Sequence, residues 1–377
     1  MKKFLITLLF LILTMNICVN AQCDKGLNQI YEEQYKSLEI EKLNDQIPKQ
    51  ALDSMKNIGI KNASWEQLSN LNFENILEEI SKTFSEKIFI PLSSIIPMLG
   101  IILLSTIVIN LKTSFGNKNI ENIMSSVSVL CLCSSMINPM VNCINSCSLA
   151  IKSACGFILY ETPIIAAIMA ISGNPISATS SQTLIIAMGQ IISYFAGNFL
   201  VPFMNILLGI SFVSSVSPRI NLNELCSAIY KISKSLFKFS ASTFTGILTV
   251  QNIVSSSADN LKTEVAKFTI DSCVPIIGGA VSDAFETVHQ CLKLLKSGAG
   301  AFGMIAIGAI FLPIVIECFI WMIFLNIGQG ISDVFNLKKI CFLFKSIHSV
   351  MSIMLAALIF VMIIMLVSTV LLIIVGR

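Results

Sequence analysis

The sequence predicts an all-α, polytopic helical membrane protein with a signal peptide and a small helical extracytoplasmic N-terminal domain. Three observations carry this. Hydrophobic residues make up 54% of the 377 and charged residues only 12%, against roughly 25% charged in soluble chains, whose surfaces face water. The mean hydropathy is +0.80. The apolar residues gather into long successive runs, whereas 20 of the Lys, Arg, Asp and Glu residues fall between Asp24 and Lys87. A formal net charge of +3, with no basic stripe interleaved with aromatics, argues against nucleic acid as a partner. Membrane lipid is the expected surrounding.

Residues 1–21 read as a secretory signal: Lys2 and Lys3, an apolar run from Phe4 to Val19, and the small residues Val19 and Ala21 ahead of the cleavage point. An uncleaved anchor helix is the other reading, although the run is short for a span of ~20 residues. Either places the next segment outside the cytoplasm. Residues 22–87 carry 8 Lys against 12 Asp and Glu. Within them Leu27, Tyr31, Tyr35 and Leu38 recur at helical spacing, as do Phe73, Ile76, Leu77, Ile80, Phe84 and Ile88. Two amphipathic helices are expected, the second running directly into the membrane. The domain reads as a solvated helical hairpin or as a docking surface for an extracytoplasmic partner, since ~65 residues is small for an isolated core.

Apolar runs then cover 88–111, 123–141, 156–171, 183–201, 203–217, 301–327 and 350–375, most of them long enough for a span of ~17 to 25 residues. About five spans are expected over 88–217. The stretch Thr183 to Val216 has no charge in 34 residues and is expected to reverse at Gly197 and Pro202. A first span entering from outside puts Lys112 and Lys118 in the cytoplasm, as the positive-inside rule requires. Four further crossings return the chain there at Arg219.

Residues 218–240 form a basic amphipathic helix. Leu222, Leu225, Ile229, Ile232, Leu236 and Phe239 share one face, with Lys231, Lys234 and Lys238 toward the other. Such a helix lies in the cytoplasmic interface of an anionic leaflet or against a cytoplasmic partner. Residues 293–377 hold the C-terminal spans. Simple alternation sets Lys338, Lys339 and Lys345 outside, against the positive-inside rule, so the crossings between 240 and 292 are left open.

Residues 241–292 read as a broken or re-entrant helical pair, with short apolar stretches interrupted by Gly, Pro and acidic groups. Gly278 with Ser282, and Ala280 with Ala284, share helix faces that admit a close neighbour, so Pro275, Gly278, Gly279, Ser282 and Ala284 are candidate packing residues. Asp259, Asp271, Asp283, Glu286 and His289, with Glu317 in the apolar run 301–327, are candidates for a polar seam, since ionisable groups at membrane depth are costly and face a cavity or a partner. The other readings are a solvated amphipathic helix for the first five, and a protonated or hydrogen-bonded acid for Glu317. Glu161, two residues before Pro163, reads as an interfacial residue at a helix start.

No catalytic constellation competes. The two histidines, His289 and His348, are far apart and neither sits in H-E-x-x-H, and there is no G-x-x-x-x-G-K-[ST] phosphate loop. Of the 12 cysteines, Cys131, Cys133, Cys143 and Cys147 cluster along one span. They lack a second ligand pair at zinc-site spacing and are assigned to packing. No disulfide framework, metal or cofactor is expected.

The run Gly246-Ile-Leu-Thr-Val-Gln251, then Ala258-Asp259, Lys267-Phe268, Val274-Pro275-Ile-Ile-Gly278 and Ser282-Asp283-Ala284, resembles the signature half of the stage III sporulation protein AE family. The Pro163 span ending in Ser172-Gly173-Asn174 and the Pro202 region are similar too, and the resemblance covers essentially the whole chain. Asn252 departs from it, standing where a small residue is expected. The resemblance implies a multi-pass protein of the mother-cell membrane around the forespore. It also implies an assembly with an ATPase and ring-forming subunits that meets a forespore membrane protein, resembles a channel or secretion system, and is needed for late forespore development. The chain itself would be a non-enzymatic subunit. The alternative from the residues alone is a self-sufficient secondary transporter for a small solute, with the broken-helix region as its binding site.

Overall fold

The computed structural model describes residues 40–62, 67–68, 73–112, 118–216, separate positions between 228 and 257, and 278–374; side-chain surroundings in the last stretch are described from residue 295. Among the described residues every regular element is helical. A 3-10 helix, Ile40–Gln46, precedes α1 (Lys49–Asn57). The long helices are α2 (Phe73–Lys112), α3 (Lys118–Ile171), α4 (Pro175–Phe195), α5 (Val201–Val216), α6 (Gly278–Val334) and α7 (Lys338–Ile374). A five-residue π turn, Ala196–Leu200, carries α4 into α5. Among the described residues, five stretches are long and apolar enough to cross a membrane: Glu74–Val108, Ile123–Ile171, Pro175–Val216, Leu295–Val334 and Lys338–Ile373.

These helices hold in apolar surroundings because their backbone polar groups pair within their own segments, except where the internal prolines Pro91, Pro97, Pro139, Pro163 and Pro313 have no N–H to give. Their many hydroxyls are dealt with in the same way. Thr106 donates to the Ile102 carbonyl at 2.8 Å, Ser211 to Leu207 at 2.8 Å, Ser332 to Gly328 at 2.7 Å and Ser368 to Ile364 at 2.8 Å. This one-turn return bond lets a buried Ser or Thr sit on an apolar helix with its polarity satisfied.

Two tight turns between long helices use the geometry that also ends α1 at Gly59 (φ +93°). After α3, Gly173 takes φ +93°, with Asn174 N–H donating to Met169 O at 3.0 Å and Gly173 N–H to Ala170 O at 3.2 Å. That is a Schellman ending, and Pro175 then opens α4 with its fixed φ. After α6, Asn336 takes φ 54°, Leu337 N–H donates to Ser332 O at 2.9 Å, and Asn336 N–H donates to Asp333 O. Both turns therefore fold the chain sharply into antiparallel neighbours.

The contacts fix the packing. Glu161 of α3 meets Gly303 of α6, while Cys147, nearer the start of α3, meets Cys318 further along α6, so the two helices are antiparallel. On α7, Ile373 meets Gly300, Phe344 meets Gly328, and Lys339 donates to Ser126 Oγ at 3.0 Å. The junction of α6 with α7 thus lies at the same end as the start of α3. Lys112, Lys118, Lys338 and Lys339 consequently cluster at one end of the bundle, and the mismatch that alternation gave for the C-terminal lysines disappears. The five spans expected over 88–217 become three, which leaves the side reached after Val216 unchanged, so the mismatch traces to the crossings left open between 240 and 292.

The reversal expected at Gly197 and Pro202 is not formed. Ala196 (φ −60°, ψ −42°) and Val201 (φ −63°, ψ −54°) are both right-handed helical. A Cβ on Gly197 would meet Lys152 Cε and Nζ at 2.7 Å, so this glycine makes room for the lysine of α3 and does not turn the chain. Pro202, which has no N–H to donate, follows directly on the π turn, where the ladder already steps by five residues. Ser148 Oγ of α3 donates to the Ala196 carbonyl at 3.3 Å.

Two further expectations change. The segment 278–292 is no separate short helix, because α6 runs unbroken from Gly278 through residue 293 and contains no proline before Pro313. The N-terminal segment is no free-standing hairpin either. Ile40, Leu43, Ile47, Ala51, Met55 and Ile60 are buried in the same core as the long helices, with α1 against α6 and the 3-10 helix against α3. Leu27, Tyr31, Tyr35 and Leu38 lie outside the described residues.

Candidate functional site

The inward face of α2 is polar where it leaves α1. Glu79, Thr83 and Lys87 recur at spacing four; Glu79 is 8% exposed and Thr83 6%. The apolar residues Leu77 and Phe84 face outward instead, as do Phe89 and Ile96 further along. Asn57 Nδ2 of α1 donates to Glu79 Oε2 at 2.9 Å. Two turns on, Lys87 Nζ donates to Glu317 Oε2 of α6 at 3.2 Å, with side chains 19% and 10% exposed. Glu317 is therefore held in a buried ion pair. Its partner is a lysine from a helix 230 residues away in sequence, which sequence spacing does not reveal.

Glu317 leads directly to a sulfur cluster. Cys143 and Cys147 stand one turn apart on α3 and share a face, and Cys318 comes from α6. The Sγ of Cys318 is 3.7 Å from that of Cys143 and 3.5 Å from that of Cys147. The three sulfurs lie within 4.8 Å of one another, all fully buried. The sequence shows the spacing of Cys143 and Cys147 but not the third thiol. Cys133 and Cys155 are also buried on α3 and belong to no such group. The set is the one place among the described residues where three potential metal ligands converge.

A second buried acid lies further along α3. Glu161 is 1% exposed, deep inside the helix, not at an interfacial helix start. The helix passes Pro163 without ending, so the proline signal misled the sequence reading. Thr369 Oγ1 of α7 is 3.4 Å from Glu161 Oε2, and Oε1 has no hydrogen-bond partner among the described residues. On α6, Gly303 leaves the room that the carboxylate fills, for a Cβ there would overlap it. Gly300, one turn earlier, admits Ile373 in the same manner. Close approach on α6 therefore uses Gly300 and Gly303.

Of the other residues picked out from the sequence, Asp259, Asp271 and Pro275 lie outside the described residues. Gly278, Gly279, Ser282, Asp283, Ala284, Glu286 and His289 lie on the first turns of α6, and their side chains lie outside the described part. In the basic segment, Ile232 and Phe239 are helical and exposed.

The buried layer thus joins three helices through one ion pair and one sulfur cluster. Removing one partner of a buried pair leaves a charge without compensation, so the layer fixes helix register. The family model described as stage III sporulation protein AE matches residues 59–376. A curated relative, the stage III sporulation protein AE of Bacillus subtilis (strain 168), is 24% identical over 194 residues, covering 52% of this chain and 49% of the relative. The chain spans about half the length of the curated relative it matches. No solved structure matches.

Proposed function

The chain belongs to the stage III sporulation protein AE family, and from that premise we propose that it is a non-enzymatic, multi-pass membrane subunit of the assembly joining mother cell and forespore. The observation that carries this reading is the extent of the family match: residues 59–376 take in the five described helices that are long and apolar enough to cross a membrane, from Glu74 to Ile373. In this role the subunit sits in the mother-cell membrane around the forespore, its N-terminal segment on the extracytoplasmic side after removal of a signal peptide. The assembly is channel-like or secretion-like. Its ATPase and ring-forming subunits, and a forespore membrane protein, are the partners, and energy comes from the ATPase.

The physical design supports a scaffold of this kind. Antiparallel helices meet through glycines, and α2 is the most open of the five apolar helices, presenting Phe89, Ile96, Leu103 and Leu104 outward. That face suits lipid and neighbouring subunits. The family match gives no support to the self-sufficient secondary transporter.

Deletion of the gene in a spore-forming host tests the proposal. Development is expected to stop after engulfment with vegetative growth unchanged. A deletion strain that grows poorly in rich medium yet forms spores at wild-type yield would refute it.

A further inference from the structure

We propose that Cys143, Cys147 and Cys318 bind one thiophilic metal ion with a filled d shell, zinc(II) or copper(I), which clamps α3 to α6. Metal–thiolate bonds of ~2.3 Å place the sulfurs of a shared ion ~3.8 Å apart in a tetrahedral set and ~4.0 Å apart in a trigonal one. Cys318 stands 3.7 Å from Cys143 and 3.5 Å from Cys147, a few tenths of an ångström from the first value, and all three sulfurs lie within 4.8 Å of one another. Little movement is needed to admit the ion.

The ligand chemistry selects the metal class. Three sulfurs with no carboxylate or imidazole among them suit soft ions, whereas magnesium and calcium require oxygen ligands. Each coordinating thiol gives its proton to water, so three thiolates around a divalent ion leave one net negative charge. Lys87 lies close enough to act on Cys143 electrostatically, and because Glu317 pairs with that lysine at 3.2 Å, the layer would carry the single negative charge of the ion and its ligands. Packing alone explains a buried cysteine, but it does not call for one sulfur within 3.7 Å of two others. The buried Cys133 and Cys155 of the same helix show what packing without such a cluster looks like.

The proposal is independent of the sporulation role and is tested on the purified full-length chain in detergent. Elemental analysis of wild-type protein is expected to find about one zinc or copper per chain, and which element is recovered separates the two ions. After chelation, cadmium(II) is the probe: titration should produce a sulfur-to-cadmium charge-transfer band that saturates near one equivalent. Cys318→Ser and Cys143→Ser/Cys147→Ser should lose the native metal and weaken cadmium binding by ~100-fold or more, beyond what loss of an outer-shell contact causes. Cys155→Ser should match wild type. Wild-type protein with neither stoichiometric metal nor a cadmium band overturns the proposal, whatever the variants do. So does a Cys318→Ser protein that elutes normally and keeps its ion.

Discussion

Replacing Lys87 by methionine is predicted to destabilise the bundle, and removing Glu317 together with it to restore most of the loss. At 3.2 Å the two charges attract by about 5 kcal/mol at an effective dielectric of ~20. Burial of both offsets part of that attraction. Breaking such a pair costs about 3–5 kcal/mol because the survivor stays buried and charged. Lys87→Met strands a carboxylate in a residue only 8% exposed, and a loss of ~3 kcal/mol is expected. Glu317→Leu strands the lysine, whose long stem can carry its charge outward, so ~1 kcal/mol is expected. Lys87→Met/Glu317→Leu leaves an apolar contact and should lose only ~1 kcal/mol. The cycle then closes on a coupling of ~3 kcal/mol. Thermal unfolding in detergent reads this as a fall in midpoint of ~6 °C for Lys87→Met, at ~2 °C per kcal/mol for a large bundle, and ~2 °C for the double variant. A double variant that falls by the sum of the two single shifts would show that the pair is uncoupled and refute the reasoning.

Two further predictions concern the frame around this layer. Gly303→Ala puts a methyl group onto the Glu161 carboxylate, so a loss of ~1–3 kcal/mol is expected, seen as reduced monodisperse yield on size-exclusion chromatography. Adding Glu161→Ala should recover that yield and adding Glu161→Gln should not; a Gly303→Ala protein with wild-type yield would dismiss the contact. Lys118→Cys and Lys338→Cys, in intact cells, should both resist an impermeant maleimide and both react after permeabilisation, because Lys339 of α7 bonds Ser126 of α3 at one end of the bundle. Opposite labelling of the two would break the antiparallel arrangement.

Helical class and membrane character were legible because they depend on composition and on unbroken apolar runs, which are local properties. The continuity of α2 was legible for the same reason: its period runs from Phe73 past Ile88 without a break. What failed were the readings of single punctuating residues. Gly197 and Pro202 signal a turn in isolation, yet Lys152 uses the glycine and the π turn absorbs the proline. Pro163 signals a helix start, yet α3 continues through it and buries Glu161. The candidate site was half legible. Glu317 stood out as an acid in an apolar run, but Lys87 and Cys318 acquire their roles only through pairing between helices 230 and 171 residues apart, on which spacing within one helix carries no information. On α2, Glu79 and Thr83 turn inward while Leu77 and Phe84 are exposed, a placement that apolar spacing alone does not reveal.

The π turn at Ala196–Leu200 has a consequence for how this chain can vary. An α-helix advances ~100° with each residue, and a π turn holds about one residue more than the α count, so everything beyond it is swung by about that angle. Met204, Leu207, Leu208 and Ser211 reach the interior with the swing included. Deleting one residue of the turn would remove that swing and one residue's advance of ~100° together, so the two cancel and these four would still face inward, whereas a deletion elsewhere in α4 or α5 would rotate all that follows. Length is therefore more tolerant of change at this turn than in the regular winding on either side, as a slack link lets a chain be shortened without twisting its end.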